Sequence, residues 1–290
     1  MGGKLFKNVS FFSATLSFFL LVGIFAVLFS YAQEAMHKFG IDFLYIDTWE
    51  KMDADGEGGI FGGYIPIIGT LLSTTIAMIL ATPLAMGIAI FLTEIAHDRL
   101  IKPVSIAIEL LAAIPSIIYG MWGLFYFAPI VQQTFGGNGV GLLTAGIVLA
   151  IMIIPFMAAI TRDAMNTTPP VLKESAYAIG ATKFEVIKDV VMPYAKGGII
   201  GSIILALGRA LGETMAVAFL IGSVMRLPTQ ITDPTTSIPV LLANNFSEAQ
   251  DLEISSMYYL ALILFFVSFV LISLAKFYFF GRKKYEEGKR

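Results

Sequence analysis

The chain has 290 residues, of which 57% are hydrophobic and 14% charged, and its mean hydropathy is +0.81. This is far more apolar surface than one soluble core can bury, so we expect much of it to face lipid. A net charge of −2 gives no bulk basic character for nucleic-acid binding, and the lack of cysteines excludes disulfides, thiolate metal sites and cysteine nucleophiles.

Six apolar stretches are long enough to cross a bilayer, which takes about 20 helical residues. In chain order they cover residues 11–31, 65–92, 103–130, 141–161, 197–224 and 257–280. The first resembles a signal peptide in having Lys4 and Lys7 before it, but its apolar run exceeds the roughly 7–15 residues of a signal sequence, which favours a retained span. The sequence therefore predicts an all-α, polytopic membrane protein with six transmembrane helices.

The distribution of lysine and arginine predicts the orientation of these spans. With the N-terminus inside, 15 of the 19 basic residues fall in cytoplasmic segments and 3 in outside loops, and the remaining one is Arg209 within the fifth span. The opposite orientation would reverse this ratio and violate the positive-inside rule. We therefore expect both termini to be cytoplasmic.

The loop 162–196, between the fourth and fifth spans, is the longest one on the cytoplasmic side. Its sequence predicts a short helix over residues 171–179, which Gly180 can end in a left-handed conformation. Thr182 and Glu185 have the spacing of a capping box and predict a second short helix, with Pro193 after it. One side of the pair is too apolar to lie bare in the cytosol, so it either folds against its own bundle or meets a partner surface.

The same loop resembles the coupling loop of permeases from ATP-binding-cassette importers. The residues that carry the resemblance are Glu174-Ser175-Ala176, Gly180, Val190, Met192 and Pro193, at the spacing of the family motif. The resemblance implies the type I, MetI-like permease fold, in which the first short helix docks on a cytoplasmic ATPase subunit. This chain has no Gly-x-x-x-x-Gly-Lys-Ser/Thr motif, so we expect ATP and magnesium to be used by a separate chain. We expect this chain to hold no cofactor and no metal, and not to be an enzyme.

Two charged residues lie deep in the fifth span. Arg209 and Glu213 are spaced i, i+4, which would place them on one helix face. A charge near the midplane costs at least about 2.5 kcal/mol on insertion scales, so both should face protein or water. They would either neutralise each other as an internal salt bridge or form an oxyanion filter. In a filter the guanidinium binds the anion, while the carboxylate repels a full dianion and accepts a hydrogen bond from a protonated anion such as hydrogen phosphate.

Glu109, six residues into the third span, is expected to be a third buried charge, and packing and function are equally compatible with it. The segments 109–123 and 208–216, with the glycine-rich entry 61–70 into the second span, resemble the PstC-type permease of the phosphate (Pst) importers. By that likeness Arg209, Glu213 and Thr214 belong to the substrate pathway, and Glu109 is grouped with them. The implied partners are a second, PstA-type permease, two ATPase subunits and an extracytoplasmic phosphate-binding protein, with lipid around the bundle.

This resemblance implies a permease for inorganic phosphate in the cytoplasmic (inner) membrane. The expected organisation is a first helix and outer loop at 1–64, a permease core at 65–280 and a basic tail at 281–290. A permease for another oxyanion, such as sulfate, molybdate or phosphonate, would share the coupling loop. An ATP-independent carrier or channel would explain the midplane charges but not that loop. An intramembrane enzyme has no support, because no Ser/His, paired-Asp or His-x-x-x-His arrangement lies within a span.

Overall fold

The computed structural model describes residues 2–51 and 59–287, with side chains for residues 6–51 and 59–277. Within these ranges the chain is almost entirely helical, with one two-stranded antiparallel hairpin of β1 (Trp49–Glu50) and β2 (Ile60–Phe61). The helices are α1 (Gly2–Phe39), α2 (Tyr64–Ile90), α3 (Asp98–Ala112), α4 (Ser116–Trp122), α5 (Ala128–Phe135), α6 (Leu142–Asn166), α7 (Pro170–Ala178), α8 (Lys183–Glu185), α9 (Met192–Leu211), α10 (Met215–Leu220), α11 (Ile238–Asn245) and α12 (Asp251–Glu287). A 3-10 turn covers Gly40–Leu44, and π-helical segments cover Phe91–Ile95, Gly123–Phe127 and Val186–Val191.

Five helical segments are long and apolar enough to cross a membrane, and a bent pair can supply the sixth span. The five are Phe6–Leu44, Tyr64–Ile95, Leu142–Asn166, Lys183–Leu211 and Asp251–Phe277. The bent pair joins α3 to the segment Ser116–Phe135 at an angle of 90°. The predicted number of spans is therefore confirmed if the bent pair counts as one span.

The predicted third and fifth spans are not continuous helices. The third breaks at residues 113–115, where Pro115 lacks an N–H and disfavours helical geometry at the residue before it. The fifth breaks after α9, where Gly212 ends the helix and only the six residues of α10 follow. Apolar sequence continues on both sides of each break, so hydropathy averaged over a whole span does not reveal either break.

The chain forms two compact units. The first comprises Met1–Tyr64 and Leu241–Val267. In it, the end of α1 and the following turn pack on the first half of α12: Ser255 Oγ donates to Tyr31 O at 2.8 Å, and the Tyr259 hydroxyl donates to Gly40 O at 3.0 Å. Trp49 Nε1 donates to Glu253 Oε1 at 3.1 Å, which fixes the hairpin to α12.

The second unit comprises Ile65–Val240 and Ser268–Arg290, and α6 lies at the centre of its core. One face of α2 is lined by the buried alanines Ala77, Ala81 and Ala85, whose spacing of four lets this helix approach its neighbours closely. The hydroxyls of Thr161 and Ser202 hydrogen-bond at 2.8 Å and join α6 to α9.

The loop that contains Thr229 and Asp233 caps the N-terminus of α6 in this second unit. Leu142 N–H donates to Asp233 O at 3.1 Å and Leu143 N–H donates to Ile231 O at 2.8 Å. The loop is fixed by the Asp233 carboxylate, which accepts hydrogen bonds from the Thr229 hydroxyl and from the N–H groups of Gln230 and Thr229. These bonds hold the pKa of Asp233 below its usual value because they stabilise the charged carboxylate.

Candidate functional site

Arg209 lies in the last turn of α9 and is half-buried. Its guanidinium carbon is 5.2 Å from the centroid of the Phe156 ring on α6, in cation–π geometry. Among the described residues Arg209 forms no ion pair. The internal Arg209–Glu213 salt bridge, one of the two alternatives from the sequence, is therefore not present, and the guanidinium keeps its donors for another acceptor.

Glu213 does not share a helix face with Arg209, so that expectation was wrong. α9 ends at Leu211, and residues 212–214 are not helical. Gly212 is a weak helix former, and the Glu213 carboxylate serves the next helix instead, since its Oε1 accepts a hydrogen bond from Ala216 N–H at 3.2 Å. Thr214 lies in the same break, where its hydroxyl donates to Gly212 O at 3.2 Å.

Tyr119 is a neighbour of this site that the sequence did not single out. It is buried on α4, its hydroxyl donates to Leu111 O at 2.9 Å across the break of the third span, and it lies within electrostatic range of Arg209. Helix α4 packs against α10, and a Cβ on Gly120 would come within 2.9 Å of Ala216 Cα. The two helices that follow the two breaks therefore lie against each other, beside Arg209. The signal in the sequence that could have indicated this contact is Gly120, because a glycine lets another helix approach closely at that position.

Glu109 is not buried, in contrast to the expectation. Its side chain is 59% exposed on α3 and pairs with Arg162, 3.0 Å away on α6. Arg162 also pairs with Asp163 at 2.8 Å, while its own side chain is only 12% exposed. Because α6 extends to Asn166, Arg162 belongs to that helix rather than to a loop. Glu109 thus connects α3 to α6, and its place in the substrate pathway stays a prediction.

The first helix of the loop 162–196 is confirmed as α7, Pro170–Ala178, one residue earlier at each end than predicted. Gly180 has a φ of +91°, the left-handed conformation expected of the residue that ends this helix. The capping box is also present: Thr182 Oγ1 accepts from Glu185 N–H, and the Glu185 carboxylate accepts from Thr182 N–H.

The second short helix does not end before Pro193. Helix α8 runs through the π-helical segment Val186–Val191 into α9 without interruption. Pro193 lies where the π-helical segment passes into α9, and the N–H that proline lacks removes one backbone hydrogen bond from this continuous helical segment. The loop is therefore attached directly to the fifth span.

The surface of α7 and its neighbourhood is apolar and exposed. Ile179 is 87% exposed and Phe184 69%, and Val171, Leu172 and Tyr177 are exposed as well. Next to them lies a groove of about 400 Å³ lined by Ala176, Ile179, Gly180, Ala181, Glu185, Asp189 and Val190. Glu174 and Ser175 of the motif are exposed and Ala176 half-buried. An apolar surface of this kind is typical of a protein interface, so the alternative of a loop folded against its own bundle fits poorly.

A buried ion pair between Lys173 of α7 and Glu94 was not predicted from the sequence. Lys173 Nζ contacts Glu94 Oε1, and the two side chains are 23% and 6% exposed respectively. The partners are 79 residues apart in sequence, so no local spacing could have indicated the contact.

Residues 81–284 match the family described as "Binding-protein-dependent transport system inner membrane component". The chain belongs to this family, and it is accordingly a multi-pass permease subunit of the inner membrane. The resemblance inferred from the loop motif is thereby confirmed.

The chain is also similar to curated relatives over almost its whole length. It is 44% identical to the phosphate transport system permease protein PstC of Pasteurella multocida, over 99% of this chain and 94% of that protein. It is 45% identical to the PstC protein of Haemophilus influenzae, over 94% of this chain and 91% of that protein. Among solved structures, a chain of the MetNI methionine ABC transporter matches with a TM-score of 0.58 at 20% identity, over 74% of this chain and 91% of that chain. The last match confirms the MetI-like fold.

Proposed function

We propose that the chain forms part of the pathway for inorganic phosphate in an ATP-driven importer. The observation that carries this proposal is the match of 44% identity, over 99% of the chain, to a relative named as a phosphate permease. The chain supplies helices and docking surfaces, and a separate ATPase supplies hydrolysis.

The partners follow from the same proposal. A second, PstA-type permease completes the pathway, two ATPase subunits dock on the exposed surface of α7, and an extracytoplasmic protein delivers phosphate to the outer loops. Closure of the ATPase pair pushes on α7 and shifts the bundle between outward-facing and inward-facing states. The excess of basic residues on one side supports an orientation with both termini in the cytoplasm.

The chemistry around Arg209 supports a protonated oxyanion as substrate. The guanidinium offers a planar set of donors to a tetrahedral anion and is unpaired within the described chain. The Glu213 carboxylate lies four residues further along the chain and uses Oε1 for Ala216 N–H. Its other oxygen can accept a hydrogen bond from hydrogen phosphate, whereas sulfate has no proton to donate at neutral pH and would be repelled.

The test is uptake of labelled phosphate by cells that carry the complete transporter, with sulfate as competitor. We expect uptake that needs both ATP and the binding protein and that excess sulfate does not inhibit. Arg209→Gln should abolish uptake although the complex still assembles, and Arg209→Lys should keep part of it because the charge remains. Wild-type uptake in Arg209→Gln would contradict the pathway role of this residue. Inhibition by sulfate would identify the transporter as one for another oxyanion.

A further inference from the structure

Helix α7 contacts the rest of the bundle through a very narrow strip. Every residue of α7 other than Lys173 and Ala176 is exposed, and these two are half-buried. They are three residues apart and so lie on one face of the helix. Ala176 packs at the edge of a core cluster that contains Ala89, Met165 and Val186. The remaining surface of α7 is free to contact another protein.

The polar half of this strip is the ion pair between Lys173 and Glu94. With 6% exposure, the Glu94 side chain is almost dry, while the side chains of Glu109 and Asp163, which pair with Arg162, are 59% and 67% exposed. An ion pair that is shielded from water is weakly screened, and removal of one partner leaves a buried, uncompensated charge. The Glu94 carboxylate is therefore shielded from water far more fully than the carboxylates that pair with Arg162, and its attraction to Lys173 is less screened.

Glu94 is itself rigidly placed. It lies in the π-helical segment Phe91–Ile95 that ends the second span, and Ala96 N–H closes this segment by donating to Phe91 O at 2.7 Å. The adjacent Thr93 hydroxyl donates to Ala89 O at 3.0 Å. The ion pair thus joins the end of the second span to a helix whose outer surface is exposed.

We propose that Glu94 and Lys173 are a positioning pair that transmits displacement of α7 to the cytoplasmic end of the second span. The inference rests on the proposed function, in which α7 is the segment that docks on the ATPase. The only other partly buried side chain of α7 is the single methyl of Ala176, which resists sliding poorly. The directional ion pair prevents α7 from moving along the bundle unless α2 follows.

The experiment uses charge reversal in the full chain, produced with its partner subunits and reconstituted in vesicles with the binding protein. The variants are Lys173→Glu, Glu94→Lys and the double reversal, and the readouts are co-purification of the ATPase and phosphate transported per ATP hydrolysed. We expect each single reversal to lower that ratio by about tenfold or more in complexes that still contain the ATPase. The double reversal restores the pair and should return the ratio to within about threefold of wild type.

Two further variants sharpen this comparison. Arg99→Glu makes the same charge change as Lys173→Glu on an exposed residue in the first turn of α3, and should keep the wild-type ratio. Lys173→Gln removes the charge while keeping a donor, and replaces Lys173→Glu if the reversal blocks assembly.

Three results would overturn the inference: a wild-type ratio in the single variants, loss of assembled complex with an unchanged ratio per complex, or a double reversal as impaired as the singles. Absence of ATP-dependent phosphate uptake in the wild-type complex would instead contradict the proposed function, which keeps the two failures distinct.

Discussion

Arg209 is held by an aromatic face rather than by a carboxylate. The Phe156 ring, 5.2 Å from the guanidinium carbon, fixes the direction of the side chain without neutralising it. A carboxylate in the place of the ring would have competed with an incoming anion for the guanidinium of Arg209. The pairing with Phe156 therefore leaves the charge of Arg209 available to a substrate.

Replacement of Phe156 tests this arrangement. Phe156→Leu keeps an apolar side chain of similar size but removes the cation–π interaction, which is worth about 0.5–2 kcal/mol. We expect the KM for phosphate uptake to rise by roughly two- to thirtyfold, with normal assembly of the complex. Phe156→Tyr retains the ring and should behave like wild type. Equal KM values in the leucine and tyrosine variants would show that the ring does not position Arg209.

Gly180 permits the left-handed turn between α7 and α8. A β-branched residue at φ +91° is strained whatever the space around it, and the position is otherwise open. Gly180→Val should therefore shift α7 and reduce the amount of ATPase that co-purifies with the chain. Gly180→Asn is the matched variant because asparagine tolerates this region best among non-glycine residues. Normal recovery of the ATPase with the valine variant would argue against a fixed α7 geometry.

At the scale of elements, the interruption of the fifth span makes Glu213 a capping residue for α10, in addition to the electrostatic role that we propose for it. Its carboxylate caps α10 through Ala216 N–H, and its charge lies close to Arg209 in sequence. A half-helix that begins inside the membrane needs its first N–H groups satisfied, because lipid supplies no acceptor. The hydrogen bond to Ala216 N–H is a structural role, and it is distinct from the electrostatic role proposed for the carboxylate.

Two substitutions of Glu213 distinguish these roles. Glu213→Gln keeps an acceptor for Ala216 N–H but removes the charge, so we expect normal thermal stability and a pathway that now admits sulfate. Glu213→Ala removes both, and should also destabilise the protein by about 1 kcal/mol. The measurements are thermal melting of the purified complex and inhibition of phosphate uptake by sulfate. Unchanged exclusion of sulfate in the glutamine variant would refute the electrostatic role.

The sequence was most informative where local chemistry decides the structure. Gly180 and the Thr182–Glu185 capping box are local signals, and both were predicted correctly. Hydropathy located all six apolar stretches, but it could not separate a continuous helix from one interrupted at 113–115 or 212–214. The expectation that Arg209 and Glu213 share a helix face failed for this reason, since the i, i+4 rule applies only within one helix. The contacts of Glu94 with Lys173 and of Glu109 with Arg162 depend on tertiary packing that no spacing encodes.

At the scale of the whole molecule, the predicted orientation can be tested directly because the chain has no cysteine of its own. A single cysteine at Arg99, which is exposed and lies outside the surface of α7, should react only with a thiol reagent that crosses the membrane. One at the exposed Thr229 should react with an impermeant reagent in intact cells. Both positions are exposed in the fold, so a difference in labelling between them would report the side of the membrane rather than burial. The reverse labelling pattern would place the termini outside.

The two interrupted spans also bear on how the chain matures in the membrane. At residues 113–115 and 212–214 the backbone leaves helical geometry, and such segments are tolerated at membrane depth only when protein or water surrounds them. If the proposed second permease is the protein that surrounds them, a newly inserted copy without that partner would present these breaks to lipid. Its lifetime would then depend on how quickly it finds that neighbour, so that assembly, rather than synthesis, would set the number of complete transporters in the membrane.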